Sequence, residues 1–189
     1  MARMIPVADV KQISNLSNGG DGMAKTLDNL KAAFAGESEA STRYQAFARK
    51  ADQEGYPQVA RLFRAAAAAE VVHARNHLET MEGVHSTQDN LKEAIADENM
   101  EHVKMYPEFI EQATKEQEPR AERTFGWARK VEMIHESLYW AALDALPAGG
   151  KPQVKEYFVC QVCGFTAEGK APDRCPVCGA AKTDFLKVD

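Results

Sequence analysis

The feature that most restricts how this chain can fold is an internal repeat. Asn29-Leu30-Lys31 recurs as Asn90-Leu91-Lys92, and Glu37 recurs as Glu98, both at an offset of 61 residues. Pro57 recurs as Pro119, Glu70 as Glu132 and His73 as His135, now at an offset of 62, which places one gained residue near the interhelical turn of the second copy. From Thr26 to about Leu146 the pattern is helical almost throughout, in segments over about 26–53, 58–82, 89–115 and 120–146. Gly55-Tyr56-Pro57 separates the first two, Gly83 to Gln88 the second and third, and Pro119 the last two. Two related helical hairpins joined in this way predict a four-helix bundle.

The repeat also duplicates a set of polar side chains. Glu70 and His73 are three residues apart, so both project from one helix face. Glu132 and His135 repeat the pair, while Glu37 and Glu98 hold equivalent positions on the first and third helices. One Glu from each of two helices, with Glu-x-x-His from each of the other two, is the di-iron or di-manganese arrangement of ferritin-like bundles. Unpaired carboxylates inside a bundle cost several kcal/mol each, roughly, so a group of them needs a cation. Hard carboxylate oxygens with imidazole suit iron or manganese. A single Glu-x-x-His is more often an ordinary surface pair, but two in register reverse that reading.

Glu101, three residues after Glu98, is a candidate seventh ligand, and Ala40 stands at its place in the first copy. Tyr44 follows Glu37 by seven residues and Tyr106 follows Glu98 by eight, so each is a candidate either to hydrogen-bond a ligand carboxylate or to pack in the core. His77 is read as facing solvent, His85 falls in the connection, and His102 points about 100° away from Glu101 on a helix, which makes it a non-ligand.

Behind Leu146 the composition changes. Pro147-Ala148-Gly149-Gly150-Lys151-Pro152 is linker-like, and all four cysteines follow it as Cys160-x-x-Cys163-Gly164 and Cys175-Pro176-x-Cys178-Gly179. Residues 157–189 are too few for a core of their own, and four thiolates holding one tetrahedral iron or zinc supply the missing constraint. Tyr157, Phe158, Phe165 and Phe185 favour a small aromatic core around an iron over a zinc ribbon. Domain boundaries follow: a flexible tail over 1–22, the bundle over 23–147, a linker over 148–155 and the cysteine module over 156–189. Paired cysteines with no apolar leader legible at the N-terminus point to metal in a reducing, cytoplasmic setting. A net charge of −5 and a pI near 5.6 argue against nucleic acid, and no apolar run approaches the ~20 residues that a membrane-spanning helix needs.

Together the segments Gly36-Glu37-Ser38, Glu70-x-x-His73, Asp97-Glu98-Asn99-x-Glu101, Tyr106-Pro107 and Glu132-x-x-His135, followed by the paired cysteines, resemble the rubrerythrin family from about Met23 onward. The family's Gly-Glu-Asn-Glu-Glu-Trp stretch is Asp97-Glu98-Asn99-Met100-Glu101-His102 here, with His102 in place of the tryptophan. The resemblance implies a mainly α, ferritin-like four-helix bundle followed by a small rubredoxin-like β/loop module. It implies a peroxidase that reduces hydrogen peroxide to water in oxidative stress. Glu37, Glu70, His73, Glu98, Glu101, Glu132 and His135 would hold two irons, with Glu70 and Glu132 bridging. One iron would move between His73 and Glu101 as the redox state changes. Cys160, Cys163, Cys175 and Cys178 would hold a third iron (zinc being the alternative occupant) as an electron relay. The donor would be a rubredoxin or an NAD(P)H-dependent reductase. A ferroxidase or iron-handling protein and a zinc-ribbon interaction protein are the competing readings.

Assembly has its own expectation. The linker looks too short for the cysteine module to return to its own chain's di-iron site, which predicts a head-to-tail homodimer. The short connection between hairpins raises exchange of hairpins between two chains.

Overall fold

A computed structural model describes residues 22–146 and 154–188. The tail assigned to residues 1–22 therefore lies outside the described residues except for Gly22, as does the linker assigned to 148–155 except for its last two residues. The chain divides into two compact units, with the boundary between Val84 and His85. That boundary falls in the connection between the two copies of the repeat.

The first unit is the hairpin of α1 (Gly22–Gln53) and α2 (Pro57–Thr80). Pro57 opens α2 at a position where its missing N–H is no loss. Ala60, Ala67 and Ala74 are buried along α2 at intervals of seven, as are Ser41 and Ala48 along α1. A seam of small residues lets two helices approach closely, and the alanines are also the strongest helix formers available. Ser41, the one buried hydroxyl among the described residues, donates to the carbonyl of Ser38 at 3.0 Å. Beyond the seam, Tyr44, Phe47 and Phe63 form an aromatic cluster, with Phe47 and Phe63 edge-on at 5.5 Å.

The second unit contains α3 (Thr87–Met100), a π turn (Glu101–Met105), α4 (Tyr106–Lys115) and α5 (Pro119–Ala145). Ser86 caps α3 by accepting the N–H of Asp89 at 3.2 Å. The single helix expected over 89–115 is thus interrupted, and the interruption corrects the expected place of the gained residue. Glu98 matches Glu37 at an offset of 61, whereas Tyr106, Phe109 and Phe125 match Tyr44, Phe47 and Phe63 at 62. The second aromatic cluster repeats the first, again with 5.5 Å between its two phenylalanines. The extra residue therefore enters between Glu98 and Tyr106, inside the helix, where a π turn absorbs one residue without ending it. The interhelical turns themselves match: Gly55 (φ 80°) and Gln117 (φ 59°) occupy the same left-handed position.

The cysteine module belongs to this second unit. Its strands β1 (Tyr157–Cys160), β2 (Thr166–Glu168) and β3 (Phe185–Val188) form an antiparallel sheet in the order β2-β1-β3. Phe165 and Phe185 meet edge-on at 6.2 Å, and Tyr157 stays at the surface instead of joining the aromatic core. The module touches α5, where Gly164 faces Val131 and Thr166 reaches His135. The module thus reaches one candidate ligand, His135, of its own chain, against the expectation that the linker is too short for a return to its own chain's di-iron site. His135 lies only ten residues before the end of α5, about 15 Å along the axis, which a linker of this length spans.

Candidate metal centres

Each hairpin gathers one carboxylate–histidine cluster. Glu37, Glu70 and His73 converge in the first unit, and Glu98, Glu132 and His135 in the second, with all ligand atoms of a cluster within 4.8 Å of one another. The local geometry is the same twice: His73 Nδ1 lies 2.8 Å from Glu70 Oε2, and His135 Nδ1 lies 2.8 Å from Glu132 Oε2. Helical spacing of i and i+3 produces that contact directly.

The donor set fits a cation. Thr166 Oγ1 donates to the carbonyl of Gly164 at 3.2 Å, so its lone pair accepts the N–H of His135 Nε2 at 2.9 Å. That leaves the Nδ1 lone pair aimed at carboxylate oxygens, two acceptors facing one space. Two ligand atoms ~2.1 Å from one cation and at right angles stand ~3.0 Å apart, close to the observed separation. Without a cation, protons must do the same work. Burial and the neighbouring Glu132 carboxylate push Glu98 up to about 7, and the hydrogen bond to Glu132 raises His135 against the opposing effect of burial.

Glu101 stands beside the second cluster. Burial first, then the charge of Glu132, raises its pKa. Tyr106 packs its ring on Phe109 and Phe125 while burial and the charges of Glu101, Glu132 and Glu98 raise its phenol, so it serves the core and faces the carboxylates together. Tyr44 packs in the equivalent aromatic cluster of the first hairpin. His102 binds Glu136, away from the cluster.

Tyr139, Glu136 and Thr166 were not singled out in the sequence. Tyr139 lies one helical turn after His135 and is raised by burial and by the charges of Glu98 and Glu132. Helical spacing alone marks it as a neighbour of the site. Thr166 carries no such mark, because its partner is 31 residues away. Between α3, α5 and the module is an open cavity of about 350 Å³, lined by Leu91, His135, Leu138, Tyr139, Tyr157 and Thr166.

The four cysteines form the third cluster. Cys160 Sγ is 3.7 Å from Cys178 Sγ and Cys163 Sγ is 3.5 Å from Cys175 Sγ, too far for disulfides. A tetrahedron of sulfurs about 2.3 Å from a metal has edges of ~3.8 Å, so the spacing fits one ion. Gly164 (φ 84°) and Gly179 (φ 80°) close the two knuckles by donating to the carbonyls of Cys160 and Cys175, both at 2.9 Å. Burial holds the Cys163 thiol well above its ordinary pKa. Burial opposes ionisation of Cys175 too, yet the amides of Cys178 and Val177 outweigh it and lower that thiol.

Fold and sites together define a helical protein with a carboxylate–histidine cluster in each of two hairpins and an attached four-thiolate module. The rubrerythrin family model matches residues 28–143, and the rubredoxin-like domain of rubrerythrin matches residues 158–186. Rubrerythrin-2 of Clostridium acetobutylicum is 35% identical, over 86% of this chain and 96% of that protein. Nigerythrin of Nitratidesulfovibrio vulgaris is 34% identical over 95% and 96%. A solved mixed-valence structure of nigerythrin is similar at 34% identity with a TM-score of 0.52, covering 96% of this chain and 91% of that one. The chain belongs to the rubrerythrin family, which carries a di-iron carboxylate site and a four-cysteine iron site.

Proposed function

We propose that the chain is a non-haem di-iron peroxidase that reduces hydrogen peroxide to water. The observation that carries the reading is the hydrogen bond from His135 Nε2 to Thr166 Oγ1, which joins a candidate di-iron ligand to the cysteine module of the same unit. Glu37, Glu70, His73, Glu98, Glu132 and His135 hold two irons with Glu101 as the seventh ligand, and the four cysteines hold a third. Bound there, the paired irons would supply the two electrons that, with two protons, take peroxide to two waters, and the four-cysteine iron would pass replacement electrons from an external donor one at a time. Thr166 keeps the His135 ring in one orientation and one tautomer. From Thr166 the contact continues to the Gly164 carbonyl, next in chain to Cys163. The cavity beside His135 admits a small solute, with Tyr139 and Leu138 limiting the water around it. Electrons come from a rubredoxin or an NAD(P)H-dependent reductase, and the free thiols require a reducing compartment such as the cytoplasm. Stopped-flow oxidation of the fully reduced, iron-loaded protein should be much faster with peroxide than with dioxygen. A faster reaction with dioxygen would overturn the reading in favour of iron oxidation and storage.

The bundle expected over 23–147 is completed, in this proposal, by hairpins exchanged between two copies. Six residues connect α2 to α3, and extended they reach ~21 Å. A helix of 24 residues is ~36 Å long, more than the connection can cross in a ferritin-like topology within one chain. Val71 and Val72 beside His73, and Met133 beside Glu132, are exposed apolar side chains that such packing covers. Refolding Glu70→Ala chains together with Glu132→Ala chains distinguishes the cases. Exchange restores about a quarter of the sites, because half the dimers are mixed and each has one intact site. Hairpins that pair within a chain restore none.

A further inference from the structure

The π turn Glu101–Met105 has no counterpart in α1, and the residues around it differ between the repeats in a consistent way. On α5, Arg129, Glu136 and Trp140 stand where α2 has Ala67, Ala74 and Leu78. In the first hairpin two of those positions are buried alanines of the close-packed seam. In the second, the larger polar groups engage the π turn. A carboxylate only accepts, so His102 Nε2–H donates to Glu136 Oε2, at 2.5 Å. Asn99 Nδ2 donates to the other oxygen, Oε1, at 3.2 Å. Arg129 Nε donates to the His102 carbonyl at 3.1 Å, and Trp140 adds a further hydrogen bond to Glu136. The His102 and Glu136 side chains are only 14% and 19% exposed.

One carboxylate on α5 thus grips the chain on both sides of Glu101. The grip matters because a π turn is a poorer helix than the α turn it replaces. Relaxation to α geometry turns the helix before the π turn, which carries Glu98 and Glu101, by one residue relative to the helix after it, about 100° around the axis, so that Glu101 and Tyr106 no longer face α5 together. We propose that Glu136 and His102, supported by Asn99 and Arg129, form a brace that holds this π turn in register and so positions Glu101 at the carboxylate site. The brace residues are positioning residues and touch no metal. The proposal rests on Glu101 belonging to the site, as in the function proposed above.

Glu136→Ala and His102→Ala test the brace in the full-length, metal-free protein by amide hydrogen exchange. Exchange over residues 99–106 should accelerate about tenfold, with exchange in α2 unchanged, as expected for a local opening. His102→Gln, which restores an N–H donor, should recover much of the protection. Cobalt(II) then serves as a spectroscopic probe of the loaded site. Glu136→Ala should shift the visible cobalt spectrum toward that of Glu101→Ala, and should add nothing when Glu101 is already alanine. Unchanged exchange in both alanine variants overturns the brace while leaving the peroxidase reading standing. A spectral change from Glu136→Ala that persists without Glu101 overturns the positioning role.

Discussion

The two hairpins descend from one pattern, and they have come to do different things with it. Both place a histidine nitrogen 2.8 Å from a glutamate oxygen, and both stack a tyrosine and two phenylalanines beyond the site. The first closes over an alanine seam and leaves His73 55% exposed. The second has a π turn, a polar brace and the cysteine module, and its His135 is 26% exposed. A duplicated hairpin therefore supplies the same carboxylate–histidine cluster twice, and small insertions on one copy make the two clusters inequivalent. One extra residue in a helix and one docked module account for the asymmetry.

That comparison breaks most visibly at the module. Cys160→Ala should abolish turnover driven by an external reductase, while a chemically prereduced carboxylate site still reacts once with peroxide. Reductase-coupled assays beside single-turnover mixing would check this, and unchanged coupled turnover would show that the module is not used. Next in size is Glu101→Ala, the residue with no partner in the first copy. Two metals should remain bound, with turnover lowered by about 10- to 100-fold, the range in which lost metal-site support falls. Loss of the two metals on elemental analysis would instead make Glu101 a structural anchor.

The pH response should reside in the second hairpin. Glu98, Glu101 and His135 all have raised pKa values, so the metal-free folded state holds protons that the unfolded chain has released, on the two glutamates above about 4.5 (up to about 7 for Glu98) and on His135 above about 6.5. Stability gained from them is present at acid pH and is lost as pH rises through the folded-state values. Thermal melts of the metal-free protein should therefore drop across that window, and Glu98→Gln should flatten the drop. Added divalent metal should reverse it, since cations replace the protons.

The smallest effect concerns the turns. Gln117 holds the left-handed conformation that Gly55 holds in the first hairpin, at a cost for a side-chain residue of roughly 1 kcal/mol. Gln117→Gly should raise stability by a few tenths to ~1 kcal/mol, the strain relief being offset by the freer unfolded chain. Denaturant melts would measure it, and a destabilised variant would show that the glutamine side chain contributes more than the strain costs.

Much of the candidate site is legible in the amino-acid order because the candidate ligands follow local periodicity. Glu-x-x-His places two ligands on one helix face wherever the helix lies, and Cys-x-x-Cys-Gly builds a knuckle from five residues. The repeat made the helices and their punctuation readable for the same reason. The place of the gained residue has a signal in the sequence too: seven residues separate Glu37 from Tyr44, and eight separate Glu98 from Tyr106. A spacing of eight looks like an ordinary helical neighbour until the two aromatic clusters are seen to match.

By itself, the order of residues determined which side chains share a face, where each helix begins, and that four thiolates and paired carboxylates need cations. These follow from rise, turn and charge, which act over a few residues. Only the tertiary structure decided that the extra residue is stored as a π turn, that Glu136 reaches across to His102 and Asn99, and that Thr166 meets His135. Those contacts join groups 31 to 37 residues apart. Their partners are chosen by how packed elements approach one another, a property that no local period records.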